Sequence, residues 1–195
     1  MLQSVAIIEK ESLYYMTKMP ILLILSGASF MLMACPYNSP HSLDEAPKQP
    51  IDENLLGKWA TMVTVIINDK KSITEPVKVI FSKKSDMEYD LAIIGYTQYM
   101  RPFKILTNDT IYGTGFLSTI DKNQFLNTSI AGRTYISEVQ RKSGAISLLP
   151  LHESFTAFKI KSSDRLRNIV SYHFRSRLNP SYDEDFALRN LQRVN

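Results

Sequence analysis

Between Leu55 and Ile160 the chain is a succession of short runs rich in Val, Ile, Tyr, Phe and Thr, closed about every ten residues by turn-forming residues. Gly57–Ile67 is the first, ended by Asn68-Asp69. In Pro76–Ser82 the apolar Val77, Val79 and Phe81 alternate with polar neighbours, and in Glu88–Gly95 Tyr89, Leu91 and Ile93 share one side. Met100–Leu106, Thr110–Ile120, Gln124–Ile130, Thr134–Gln140, Ala145–Leu151 and Ser154–Ile160 follow, separated by Asn108-Asp109, Asp121-Lys122-Asn123, Gly132 and Ser143-Gly144. This pattern predicts about eight or nine strands. The connections are too short for helical crossovers, so the strands should form an antiparallel meander, a sandwich or a barrel.

After Ile160 the period changes. Leu166, Ile169, Val170, Phe174 and Leu178 recur at helical spacing, with Ser162 or Ser163 as N-cap, Asp164 in the first turn and Asn179-Pro180 as the stop. A single apolar stripe predicts a helix docked on the outside of the sheet. Asp183–Leu191 reads as a further turn or two of helix, anchored by Phe186 and Leu188. Ahead of the strands, residues 35–54 hold Pro36, Pro40, Pro47 and Pro50 among polar residues, which predicts an extended, mobile tether. The alternative for this stretch is a strand-like arm packed on the domain. The expected layout is therefore a leader over 1–34, a tether over 35–54, a β-domain over 55–160 and a helix with a tail over 161–195.

The leader reading rests on Cys35, the one cysteine of the chain. It closes the apolar run from Pro20 to Ala34, which has Lys18 before it and is too short to span a bilayer comfortably. Leu32-Met33-Ala34-Cys35 resembles the bacterial lipobox. That resemblance implies removal of the leader, a diacylglycerol thioether on Cys35, and anchoring of the mature protein in the cell envelope, with the outer membrane as the expected site. An ordinary signal peptide with an incidental cysteine is the alternative. Glu9, Lys10 and Glu11 interrupt residues 1–15, so Met16 makes the cleaner start of such a leader.

Composition narrows the function further. Apolar residues make up 44% of the 195 and the net charge is +4. The strand region carries no concentrated basic stripe, so nucleic acid is not an expected partner. His41, His152 and His173 lack metal-ligand spacing, and the chain has neither a Gly-x-Ser-x-Gly elbow nor a phosphate-binding glycine loop. Asp183-Glu184-Asp185 reads as charge beside a helix N-terminus rather than a calcium loop. Gly113-Thr114-Gly115, inside a strand pattern, reads as a bulge or a close backbone approach. No enzyme, cofactor or metal site is expected.

Leu56-Gly57-Lys58-Trp59 opens the first strand. With the strand count and the late helix, it resembles the lipocalin and lipocalin-like group, whose first strand begins Gly-x-Trp. The layout is also similar to small cell-envelope lipoproteins of Gram-negative bacteria that pair a Pro-rich tether with a Leu-x-Gly-x-Trp entry. The resemblance implies a barrel with the helix packed outside. Trp59 would sit at the bottom of it, where it would bury roughly 200 Å². Inward-facing candidates, lining a cavity or filling a solid core, are Trp59, Phe81, Tyr89, Leu91, Phe103, Phe116, Phe125 and Tyr135. Two functions follow. One is the binding of a small hydrophobic ligand or lipid. The other is a structural role, holding an envelope protein partner through a half-polar sheet face built from residues such as Thr114, Ser118, Asn127 and Ser129.

Overall fold

Alternating residues in the strand region point to opposite faces, and closing the sheet turns those faces into an inside and an outside. The computed structural model describes residues 38–68, 71–95, 110–152, 160–176 and 182–195. The strands are β1 (Gly57–Asn68), β2 (Lys71–Lys83), β3 (Tyr89–Ile94), β4 (Thr110–Ile120), β5 (Asn123–Ile130), β6 (Arg133–Lys142), β7 (Ala145–Pro150) and β8 (Leu188–Val194). Each pairs antiparallel with the next, and β8 returns to β1 through Lys58↔Val194, Trp59↔Arg193 and Ala60↔Gln192, closing an eight-stranded barrel. The all-β class, the antiparallel meander and the barrel are as expected. The strands expected at Met100–Leu106 and Ser154–Ile160 fall on residues outside the described ones, apart from Ile160.

The inward face carries Trp59 from β1, Val77, Val79 and Phe81 from β2, Tyr89 and Leu91 from β3, and Leu117, Leu126, Val139, Ile146 and Leu148 from β4 to β7. A second apolar layer lies outside the barrel. The helix α1 (Ser163–Arg175) is capped by Ser162, whose side chain accepts from the Arg165 N–H. Its buried Leu166 and Val170 pack on Ile120, Phe125 and Ile136 of β4, β5 and β6. Phe174 meets Phe125 edge-on with ring centroids 5.1 Å apart. Near the helix end Arg175 holds Asp121 through two bonds of 2.8 and 2.7 Å.

Two segments differ from the sequence reading. The tail expected to be helical, Asp183–Leu191, forms only a short 3₁₀ turn at Glu184–Phe186 and then enters β8, the strand that closes the barrel. Leu188 and Leu191 are three residues apart and both buried, a spacing that imitates a helix. A register shift lies between their partners Ile146 and Leu148, and Asn190 adopts a positive φ of 53°. Such a bulge turns both leucines inward from a strand.

The second difference is the proline-rich stretch, which within residues 38–54 is a strap and not a tether. Ser39 pairs with Thr134, its N–H donating to the Thr134 carbonyl at 2.7 Å. Leu43 is 1% exposed in the layer beneath α1, and its N–H donates to Asn127 Oδ1 at 2.7 Å. The Ile51 N–H reaches the Asp86 carbonyl at 2.9 Å. Prolines cost little in such an edge segment because the ladder asks few donors of it. One leucine in a deep site and a handful of partnered polar groups then suffice to hold it.

Candidate functional site

Because the strands alternate in direction, one barrel end collects the start of β1 and the turns after β2, β4 and β6. That end is plugged. A 3₁₀ turn at Glu53–Leu55 lies beside it, and Trp59 Nε1 donates to the Leu55 carbonyl at 2.8 Å. The Arg193 guanidinium sits 5.2 Å from the Trp59 ring centroid and donates to the carbonyls of Asn54 and Leu56 at 2.9 and 2.6 Å. The Tyr89 hydroxyl accepts from the Asp52 N–H at 2.6 Å and donates to the Asp52 carbonyl at 3.1 Å. Burial, which disfavours the phenolate, pushes the Tyr89 hydroxyl up to about 12.

Toward the other end the interior opens into a cavity of about 80 Å³. Val79, Phe81, Leu91, Leu126 and Leu148 line its deeper part, and Ile93, Ile130, Tyr135, Pro150, Phe186 and Leu188 its outer part. Among the described residues, Thr128 and Ser137 bring the only aliphatic hydroxyls into the lining. Ile93, Pro150 and Phe186 are half-buried while Phe81, Leu91 and Leu126 are buried, so exposure rises toward the Phe186 rim.

Of the eight interior candidates, Phe81, Leu91 and Tyr135 line this cavity. Trp59 and Tyr89 are buried inside the barrel but belong to the plug. Phe125 and Phe116 face outward. Leu117 and Leu126 are paired partners that point inward, so their neighbours Phe116 and Phe125 must point out. Phe125 is covered by α1, and Phe116 is half-buried. Phe103 lies outside the described residues, as does Cys35. The lining residues missed at the sequence level are chiefly Leu126, Ile130, Leu148 and Phe186. In β5 the consecutive Phe125-Leu126 offers an apolar residue to either face, so alternation alone leaves the parity open.

Gly113 and Gly115 mark close approaches. A Cβ on Gly113 would stand 2.6 Å from the Ser129 carbonyl oxygen, and one on Gly115 would stand 3.0 Å from Leu91 Cδ1. Side chains from neighbouring strands fill the space these glycines leave inside the barrel.

A polar cluster lies on the outer wall beneath the strap. Asp44, 4% exposed, takes two 3.1 Å bonds from Arg167 Nη1 and one of 2.9 Å from Lys48. Arg167 Nη2 also donates to the Thr119 carbonyl. Asn127 donates from Nδ2 to Ser118 Oγ at 2.8 Å while its Oδ1 receives Leu43. Burial acts to raise the Asp44 carboxyl, but the Ser118 and Lys48 hydrogen bonds and the Arg167 and Lys48 charges outweigh it, leaving it below its ordinary 3.8. The folded value is thus depressed. The resulting stabilisation is present above an unfolded value near 3.8 and is lost as pH falls through the lower folded value. The urea midpoint should accordingly drop on acidification below about pH 4, and Asp44→Asn should flatten that part of the curve. An unchanged acid limb in Asp44→Asn would exclude this carboxylate as its source.

A similar tie holds the segment before β8. The Tyr182 hydroxyl donates to the buried Glu138 carboxylate, which also accepts from Gln140 Nε2 at 2.8 Å. Burial, then the hydrogen bond to Glu138, keeps this phenol well above its ordinary value. Both clusters fasten chain segments to the barrel wall. Among the described residues no three His, Cys, Asp or Glu side chains gather where a metal could be held, and no described helix is long and apolar enough to cross a membrane.

Fold and site together define a closed antiparallel β-barrel with an external helix, plugged at one end and hollow toward the other. No family model, no curated protein and no solved structure matches the chain.

Proposed function

We propose that the protein is a lipid-anchored cell-envelope lipoprotein whose barrel binds a small hydrophobic ligand or lipid. The observation that carries this reading is the cavity: among the described residues it is apolar apart from the Thr128, Ser137 and Tyr135 hydroxyls, and it lies toward the end opposite the Trp59 plug. Its volume limits what it takes. About 80 Å³ is roughly half of an engineered cavity of about 150 Å³ that admits benzene, and well under the roughly 300–1,000 Å³ of sites enclosing whole ligands. The interior therefore suits the end of an acyl chain, with the rest of the ligand lying at the rim by Phe186. The leader pattern ending in Leu32-Met33-Ala34-Cys35 supports the anchor.

Two variants test this binding mode. Leu126→Trp fills the cavity, and Phe186→Ala enlarges it at the rim. A medium-chain fatty acid should raise the melting temperature of the wild type, raise that of Phe186→Ala further, and leave Leu126→Trp unmoved. A saturating probe at about 100 times its Kd contributes about 2.7 kcal/mol. Identical responses from all three proteins would place binding outside the cavity.

A second reading is a role in holding an envelope protein through the outer face of β1 to β4. It is favoured by Met62 and Tyr112, which stand 61% and 66% exposed there. The two stand on β1 and β4 with two strands between them, so each offers a single anchor and not a patch. On this reading, Met62→Ser with Tyr112→Ser reduces recovery of a partner after crosslinking in cells and leaves fatty-acid binding intact.

A further inference from the structure

We infer that the barrel stands with its cavity end against the bilayer that carries its own anchor, so that the interaction surface of the protein is the lipid surface facing the cavity rim. This rests on the reading of Cys35 as the acylated first residue of the mature chain.

The geometry comes from the strap. Its first paired residue, Ser39, bonds to Thr134, which is adjacent in β6 to the cavity-lining Tyr135 and lies beside the β5–β6 turn. From there the strap descends the outer wall. Leu43 is held by Asn127 in β5, Asp44 by Arg167, and Gln49 by Thr119 near the far end of β4. Ile51 then reaches Asp86 in the turn between β2 and β3, and Asp52 reaches Tyr89 at the plug. A segment fixed along this whole path cannot swing its start to the plugged end.

Chain length does the rest. Four residue steps separate Cys35 from Ser39, a reach of at most about 14 Å even when fully extended. The eleven residues of β4 climb about 25–30 Å along the barrel axis, allowing for about 40° of tilt. The chain that leads back to Cys35 therefore leaves the barrel at Ser39, at the cavity end, and is too short to carry an anchor to the plugged end. Tyr112, the third residue of β4 from the cavity end, is 66% exposed and suits the interfacial zone where tyrosines gather. An acyl chain could then pass between bilayer and cavity without crossing bulk water.

The test uses the full chain, expressed in a bacterium that processes lipoproteins. Intact-mass analysis first reports whether Cys35 carries lipid. Arg133→Cys, at the β5–β6 turn, and Lys122→Cys, at the β4–β5 turn of the plugged end, each introduce one thiol at an exposed site for a fluorophore. In the acylated protein that thiol is the only free one. The labelled proteins are placed in phosphatidylethanolamine–phosphatidylglycerol vesicles doped with headgroup spin-labelled lipid. Position 133 should lose most of its emission while position 122 keeps the emission it has without quencher. An acylated protein in which position 122 is quenched as much or more overturns the orientation alone. An unmodified Cys35 overturns both the orientation and the lipoprotein reading beneath it.

Discussion

Trp59→Ala should cost about 3–5 kcal/mol, the largest loss of any single substitution considered for this barrel. The indole is 4% exposed, and truncating it removes a large apolar body from the plugged end. Two further groups lose their counterparts. The Leu55 carbonyl gives up the donor it receives at 2.8 Å, and the Arg193 guanidinium loses the ring it covers. Because Arg193 belongs to β8 and pairs opposite Trp59 in β1, the loss falls on the seam that closes the barrel. Three ladder pairs and one side-chain bond, from the Thr61 hydroxyl to the Arg189 carbonyl at 2.8 Å, join those two strands. Trp59→Phe separates the contributions: it keeps an aromatic body and removes the N–H, so about 1–3 kcal/mol should be lost. Urea denaturation followed by far-ultraviolet circular dichroism measures both. A cost below about 0.5 kcal/mol for Trp59→Ala, the range of neutral surface changes, would mean that the plug is not packed as described.

Leu43→Ala should cost about 2–5 kcal/mol, an outcome a mobile tether would never give. Leu43 is 1% exposed among Ile120, Phe125, Ile136, Leu166 and Val170, at the place where strap, barrel wall and α1 meet. Truncation leaves a hole beneath the helix and weakens the setting of the Leu43 N–H on Asn127. If the strap detaches locally before the barrel melts, the loss shows first as protease cleavage within residues 39–52 at low urea. Stability within about 0.5 kcal/mol of wild type, with no new cleavage, would return this stretch to the status of a linker.

The strands that alternate cleanly were legible in the sequence. Val77, Val79 and Phe81, and then Tyr89 and Leu91, point inward as their spacing demands. Legibility failed where both parities were apolar. Phe125-Leu126 and Phe116-Leu117 each put the larger residue outside and the leucine inside; for Phe125 the reason is a second apolar layer, supplied by α1 and the strap, that only the tertiary structure reveals. It failed again at Leu188 and Leu191, where a bulge makes a strand look helical. The strap was hidden for a different reason. Its composition is that of a linker, and its attachment depends on single long-range bonds, such as Leu43 to Asn127, that leave no periodic trace. The cavity combines these cases: Phe81, Leu91 and Tyr135 were readable, whereas Phe186 reaches it only because the tail turns back to form β8.

The central claim is that the hollow end of the barrel holds an apolar molecule. Native mass spectrometry of residues 36–195, exported to the envelope and purified without detergent, tests it most directly. Wild type should carry a reproducible added mass that is lost on denaturation and absent from Leu126→Trp. A bare protein mass in both the wild type and Phe186→Ala would contradict the claim.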